Sequence, residues 1–105
     1  MDRRIETRVI DTGDAALTTV IQKNACEVWW ISVSYSGTQA AGLIRIYDGF
    51  DTSGKLEWQS EPLTSIHHNF IPPIPCDQGI TVSNDASIAS YTIAYRPKNW
   101  RKEQA

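Results

Sequence analysis

Apolar side chains recur at every second position along most of this 105-residue chain, and Gly, Pro, Asn or Asp interrupts the alternation every eight to twelve residues. A strand turns successive side chains to opposite faces, so a period of two buries one face of a sheet and leaves the other to solvent, whereas a helix needs about 3.6. The pattern selects an antiparallel sandwich or barrel over a helical bundle or a βαβ fold. Ile5 to Asp11 and Leu17 to Gln22 flank the turn Thr12-Gly13-Asp14. From Cys26 to Ser36, Trp29, Ile31, Val33 and Tyr35 form one apolar face, with Ser32 and Ser34 on the other. Ile44 and Ile46 alternate with Arg45 and Tyr47, the turn Asp48 to Gly54 follows, and Leu56 and Trp58 return as the second arm of a hairpin. Ile66, His68 and Phe70 share a face of a strand that Pro72-Pro73-Ile74-Pro75 is expected to end, because proline lacks the ladder donor. Gly79 to Ser83 is a short strand, and Ser87 to Arg96 places Tyr91, Ile93 and Tyr95 on one side. About eight strands in this arrangement predict an all-β, single antiparallel β-sandwich of jelly-roll type.

The length allows one domain, and a chain that is 41% hydrophobic and 21% charged is too apolar to stay disordered. Residues 1–97 read as the sandwich domain with a short basic N-terminal arm, and residues 98–105 as a basic C-terminal tail. Arg3, Arg4, Arg8, Arg96, Lys98, Arg101 and Lys102 are seven of the ten cations, and only three acids accompany them, which leaves the ends at +4 and the body at -6. Charged chain ends of this kind are solvated arms or grips on an acidic protein surface. Direct nucleic-acid binding is not expected. No window approaches the roughly 18 apolar residues of a membrane span, and Met1-Asp2-Arg3-Arg4 does not open a signal peptide, so the expectation is a chain made in the cytoplasm with no membrane partner. Cys26 and Cys76, fifty positions apart, have neither redox-pair nor zinc-ligand spacing; they read as small buried hydrophobes, with a disulfide the less favoured alternative.

Catalytic chemistry finds little support. His67 and His68 are neighbours on a strand and point to opposite faces, so they do not converge on a metal; His68 belongs to the margin of the core or a subunit contact, and His67 faces solvent. Asp48 and Asp51 offer oxygens in one loop, but their spacing does not match a calcium-binding loop and suits turn geometry better. No nucleophile elbow, phosphate loop or zinc-protease motif occurs, and no cofactor is expected. The aromatics are more informative. Trp29, Trp58, Tyr91 and Tyr95 fall on the predicted inner faces, whereas Trp30, Tyr47 and Trp100 fall on outer faces or in the tail, where a large ring suits an interface or a stacking platform.

Gly42-Leu43-Ile44-Arg45-Ile46-Tyr47-Asp48-Gly49, then Gly54-Lys55-Leu56, Phe70-Ile71-Pro72-Pro73-Ile74, Gly79-Ile80-Thr81-Val82 and Tyr91-Thr92-Ile93-Ala94-Tyr95-Arg96 form an ordered set over roughly residues 28–97. In that order they resemble the small β-sandwich virion proteins of tailed bacteriophages. The resemblance implies a non-enzymatic structural protein: a capsid decoration or cement protein that assembles as a homotrimer on the shell, or a head-neck or tail accessory protein. The implied partners are itself and the major capsid protein or another virion protein, with the virion as its location. It carries over no catalytic residue, and Trp29-Trp30, His67-His68 and the basic tail depart from its pattern. On this reading Trp30 and Tyr47 are subunit-contact residues, and Arg3, Arg4, Arg101 and Lys102, with Trp100, grip the neighbouring protein. The rival reading is a carbohydrate-binding module in which Trp30, Trp58 or Tyr47 stacks on sugar rings.

Overall fold

The computed structural model describes residues 5–36 and 42–97. These form β1 (Glu6–Asp11), β2 (Leu17–Gln22), β3 (Cys26–Tyr35), β4 (Ile44–Asp48), β5 (Lys55–Ser60), β6 (Ile66–Cys76), β7 (Ile80–Asn84) and β8 (Ile88–Pro97), with no helix among the described residues. Two four-stranded antiparallel sheets result, a first in the order β1-β8-β3-β6 and a second in the order β2-β7-β4-β5. The strand numbers in the pairs β1·β8, β2·β7, β3·β6 and β4·β5 always add to nine. That is what results when the whole chain is laid out as one long hairpin and then wrapped, so that β8 also meets β3 and β7 also meets β4. An eight-stranded double sheet connected this way is a jelly roll; the all-β sandwich of about eight strands is as expected, while the order of the strands is a finding of the structure.

The inner faces carry the apolar half of each alternation. Val28, Ile31, Val33, Tyr91 and Ile93 of the first sheet pack in one cluster with Ile21, Ile44, Ile46, Ile80 and Val82 of the second, nearly all without solvent contact. Each fully buried Ile or Val of this kind stabilises the fold by about 1.5–3 kcal/mol relative to exposure. The two long sides of the sandwich are closed by different means. Between β5 and β6, Trp58 meets Phe70 edge-on at 5.5 Å and His68 at 5.8 Å, so His68 stands at the core margin as expected. Between β1 and β2, Arg8 Nη1 donates to the carbonyls of Val20 (3.3 Å) and Ile21 (3.1 Å). Ile21 is the extra residue where the β2·β7 register slips, so its neighbourhood is where the ladder leaves a carbonyl for another donor.

Two expectations need correction. Trp29 does not share the inner face of Ile31 and Val33, because the register of β3 against β8 shifts between Val28 and Trp30. One extra residue there switches the inward positions from Cys26 and Val28 to Ile31 and Val33, and leaves Trp29 half-buried. The proline run also fails to end its strand, since β6 continues to Cys76. On β3, Val28 pairs with Ile74 and Trp30 with Asn69, so Phe70-Ile71-Pro72-Pro73 is carried out of the ladder as an irregular segment. β6 is an edge strand, where a missing N–H leaves no central neighbour unpaired. Within the segment Phe70 turns into the core while Ile71 is 90% exposed.

Two outcomes test this description. Ile93→Ala should lower stability by about 2–5 kcal/mol in urea unfolding, the cost of a cavity at a site with no solvent contact. Burial pushes Tyr91 up to about 12, and burial with neighbouring carboxylates pushes the Cys76 thiol up to about 12. Both groups are favoured neutral in the folded state, so their contribution is complete below the unfolded values near 9–10 and lost as pH rises toward about 12. Unfolding measured from about pH 8 to pH 11.5 should show a steep alkaline loss, of which Tyr91→Phe removes about 2–3 kcal/mol.

Candidate functional site

The outer face of the first sheet follows from its inner one. With Val28, Ile31, Ile93 and Tyr95 turned inward, alternation and register turn Glu27, Trp30, Ser32, Thr92, Ala94 and Arg96 outward. Trp29 joins this side, since the Arg96 guanidinium carbon stands 5.2 Å from the centre of its ring. Arg96 Nη2 also donates to Glu27 Oε1 at 3.0 Å. Ion pairing at a part-exposed site is weak by itself, but ring and carboxylate together hold a cationic group in one place.

Beside this cluster lies a hydrogen-bonded chain that spans two strands. His67 Nδ1 is 2.5 Å from Ser32 Oγ, and its Nε2 is 2.9 Å from Asn69 Oδ1. With the amide oxygen as acceptor, Nε2 carries the proton and Nδ1 accepts from the Ser32 hydroxyl. The ring so oriented packs on Trp30 with centroids 5.2 Å apart and planes inclined by 40°. Above it runs a groove of about 370 Å³ whose polar lining is Ser32, Ser34, Ser65, His67, Ser90 and Thr92. His67 is exposed, as expected, but its fixed position was not legible: its partner Ser32 is 35 positions away, and no local motif marks their meeting. The available signal was the run of small hydroxyl residues at alternate outer positions of β3 and β8.

Tyr47 stands on the other side of the molecule. Ile46 is buried, so Tyr47 is turned out of the second sheet, half-buried and in register with Leu56, which is 46% exposed. Trp30 and Tyr47 are therefore on opposite outer faces and do not form one surface. Arg3, Arg4, Trp100, Arg101 and Lys102 lie outside the described residues. The described chain begins at Ile5 and ends at Pro97, and the pairing of Glu6 with Tyr95 puts both points at the same end of the sandwich.

Both loop carboxylates serve turn geometry. Asp48 accepts backbone N–H groups from Asp77 (3.0 Å), Gln78 (2.8 Å) and Gly79 (3.4 Å), which ties the β4–β5 turn to the β6–β7 turn. Asp51 Oδ1 accepts from the Ser53 N–H at 2.9 Å and from its hydroxyl, and these bonds hold the Asp51 carboxyl below its ordinary range. Gly54 is required for closure, because a Cβ there would stand 2.5 Å from the Asp48 carbonyl oxygen. No group of three or more His, Cys, Asp or Glu among the described residues could hold a metal ion. Asp48→Ala should lower stability by about 1–3 kcal/mol in thermal or urea unfolding, and Asp48→Asn by less, since it keeps an acceptor oxygen.

No family model and no curated protein matches the chain. Among solved structures it is similar to the disulfide-linked pili of Bacillus endospore appendages, with a TM-score of 0.57 at 14% identity over 92% of this chain and 90% of that one. Fainter similarities are to the SPBc2 prophage-derived protein YomS, with a TM-score of 0.35 at 9% identity over 90% of this chain and 95% of that one, and to VP2 of the infectious bursal disease virus subviral particle, with a TM-score of 0.33 at 14% identity over 90% of this chain and 30% of that one. The first of these establishes a shared fold: this sandwich matches a pilus protein nearly end to end.

Proposed function

We propose that the chain is a non-enzymatic structural subunit, and within that class a virion decoration or cement protein that binds an assembled shell as a homotrimer. The observation that carries this reading is the outer face of the first sheet, where Trp29, Trp30 and the fixed Arg96 stand beside a floor of serine and threonine. Trp and Arg are the residue types on which protein interfaces most depend, and small neighbours let a partner approach them closely. Val9, 67% exposed on β1, adds apolar area to the same face, because it pairs with the outward Thr92. Tyr47 and Leu56 supply a second contact on the opposite face, so one side can meet a copy of the chain and the other the shell protein. Residues 1–4, with Arg3 and Arg4, and the tail 98–105, with Trp100, Arg101 and Lys102, act as grips. The described chain starts and stops at one end of the sandwich, which is compatible with a shared neighbour for the two grips. The strand-and-turn resemblance to phage virion proteins and the fold shared with a pilus protein support a subunit of repeated assemblies. Its location is then the virion, with the host cytoplasm before assembly.

A cement protein acts by burying surface across neighbouring shell subunits, so that expansion must first break those contacts, and many copies add their modest affinities. A head-neck or tail accessory protein would use the same faces. One observation favours a second reading, a carbohydrate-binding module: the hydroxyl-lined groove beside Trp30 and His67 offers hydrogen bonds and a ring.

Light scattering of the purified chain on a sizing column should give about three times 11.8 kDa at two concentrations, and Trp30→Ser should lower that mass without loss of strand signal. Removal of residues 1–4 and 98–105 should leave the oligomer intact and abolish co-sedimentation with virion shells. A monomer at both concentrations that binds neutral oligosaccharides, and loses them on Trp30→Ser, would establish the second reading instead.

A further inference from the structure

Cys26 opens β3 and Cys76 closes β6, and the two are direct register partners across the antiparallel pair. Both are thiols rather than halves of a disulfide, neither has solvent exposure, and both belong to the inner cluster; Cys26 Sγ donates to the Asn24 carbonyl at 3.1 Å. Direct partners in an antiparallel ladder have Cα atoms about 4.5–5.5 Å apart and side chains on the same face, inside the 4.4–6.8 Å that a disulfide requires. Spacing along the chain could not reveal this, since fifty positions and two intervening strands, β4 and β5, separate the two.

The location gives such a bond a purpose. Beyond the irregular segment Phe70 to Pro73, the last part of β6 is held to β3 through only three register positions, Val28 with Ile74, Glu27 with Pro75 and Cys26 with Cys76. Pro75 has no N–H to give, and β6 has no other neighbour in its sheet. The end of this edge strand is thus the most weakly laddered part of the first sheet, and the two sulfurs lie at its tip.

We propose that Cys26 and Cys76 are a covalent modification site, an intramolecular cross-strand disulfide that closes when the chain folds in the presence of a disulfide oxidant such as glutathione disulfide. The two thiols lose their hydrogens, one S–S bond forms between Cys26 and Cys76, the S–S bond of glutathione disulfide breaks, and two glutathione thiols carry away the protons and the electron pair. Burial, followed by the carboxylates of Asp48 and Glu57 and then Cys26 and Asp77, pushes the Cys76 thiol up to about 12. Thiolate is scarce once the chain has folded, so the bridge forms only where folding itself meets the oxidant; a chain folded in reducing surroundings keeps both thiols, and exchange afterwards is slow in both directions. Closing a loop of fifty residues restricts the unfolded chain and raises the melting temperature by on the order of 10 °C or more.

The test refolds the full chain from denaturant in a glutathione redox buffer and, separately, in excess reductant. Each product is alkylated under denaturing conditions and its intact mass and melting temperature are measured. The expected oxidised product is a single chain about 2 Da lighter that accepts no alkyl group, while the reduced product accepts two and melts at lower temperature. Cys26→Ala and Cys76→Ala should each abolish the difference between buffers, and if neither folds, the comparison within the unmodified chain still decides. Two alkyl groups on the glutathione-refolded chain, a bridge found only between two chains, or equal melting temperatures with the bridge formed would overturn the proposal.

Discussion

The pairing of β3 with β8 is the joint on which the rest of the structure depends. It runs from Cys26 opposite Pro97 to Tyr35 opposite Ile88, and both strands are interior to their sheet. Opening it would strip β1 and β6 of their place and break the inner face that covers Ile44, Ile46 and Val82. Because it joins residues as many as 71 positions apart, Cys26 with Pro97, its loop-closure cost must be met before the buried side chains return anything, which favours slow, highly cooperative folding. The extra residue at Trp29 lies inside this joint and turns Trp29 to the same outer side as Trp30. The candidate contact face is therefore built on the central strands, directly over the core.

Much of the architecture was legible because sandwich strands advertise burial at every second residue. Ile44 and Ile46, Val82, and Tyr91, Ile93 and Tyr95 are buried as their alternation requires. What alternation cannot express is a break in its own phase. Alternation puts Trp29 inward because no local residue announces a bulge, and Pro72 to Pro75 reads as a terminator because proline's meaning depends on whether its strand lies at an edge. Pairings between distant strands were equally hidden. Ser32 with His67, Arg8 with Ile21 and Cys26 with Cys76 each depend on which strands become neighbours, and that order is a property of the whole chain. The turn carboxylates were readable in kind, since Asp48 and Asp51 close loops, but the reach of Asp48 to the 77–79 backbone was not.

The molecule presents its surroundings with unlike surfaces. One outer face carries Trp29, Trp30, Arg96 and a hydroxyl floor, the other Tyr47 and Leu56. The edges differ too: β6 carries Pro72, Pro73 and Pro75, which cannot donate to an added strand, whereas β1 is exposed along nearly its whole length. A body whose faces and edges differ has a definite orientation in any lattice it joins, and contacts on one side leave the other free. Arg8 tempers the open edge, because a guanidinium drawn across to β2 keeps that side of the sandwich from gaping.

The adjacency of Glu6 and Tyr95 has a consequence for how freely this topology can be rearranged. Their pairing brings the first and last strands within about 5 Å, so a few linking residues between them would close the backbone into a ring. In a ring of eight strands whose partners add to nine, no strand is first except by where the backbone is cut. The turns at 51–54 and 61–65 are exposed along most of their length and lie at opposite ends of the sandwich, so a circularly permuted chain cut at either keeps every sheet pairing. The choice between those cuts decides which end of the body presents whatever is genetically fused to it.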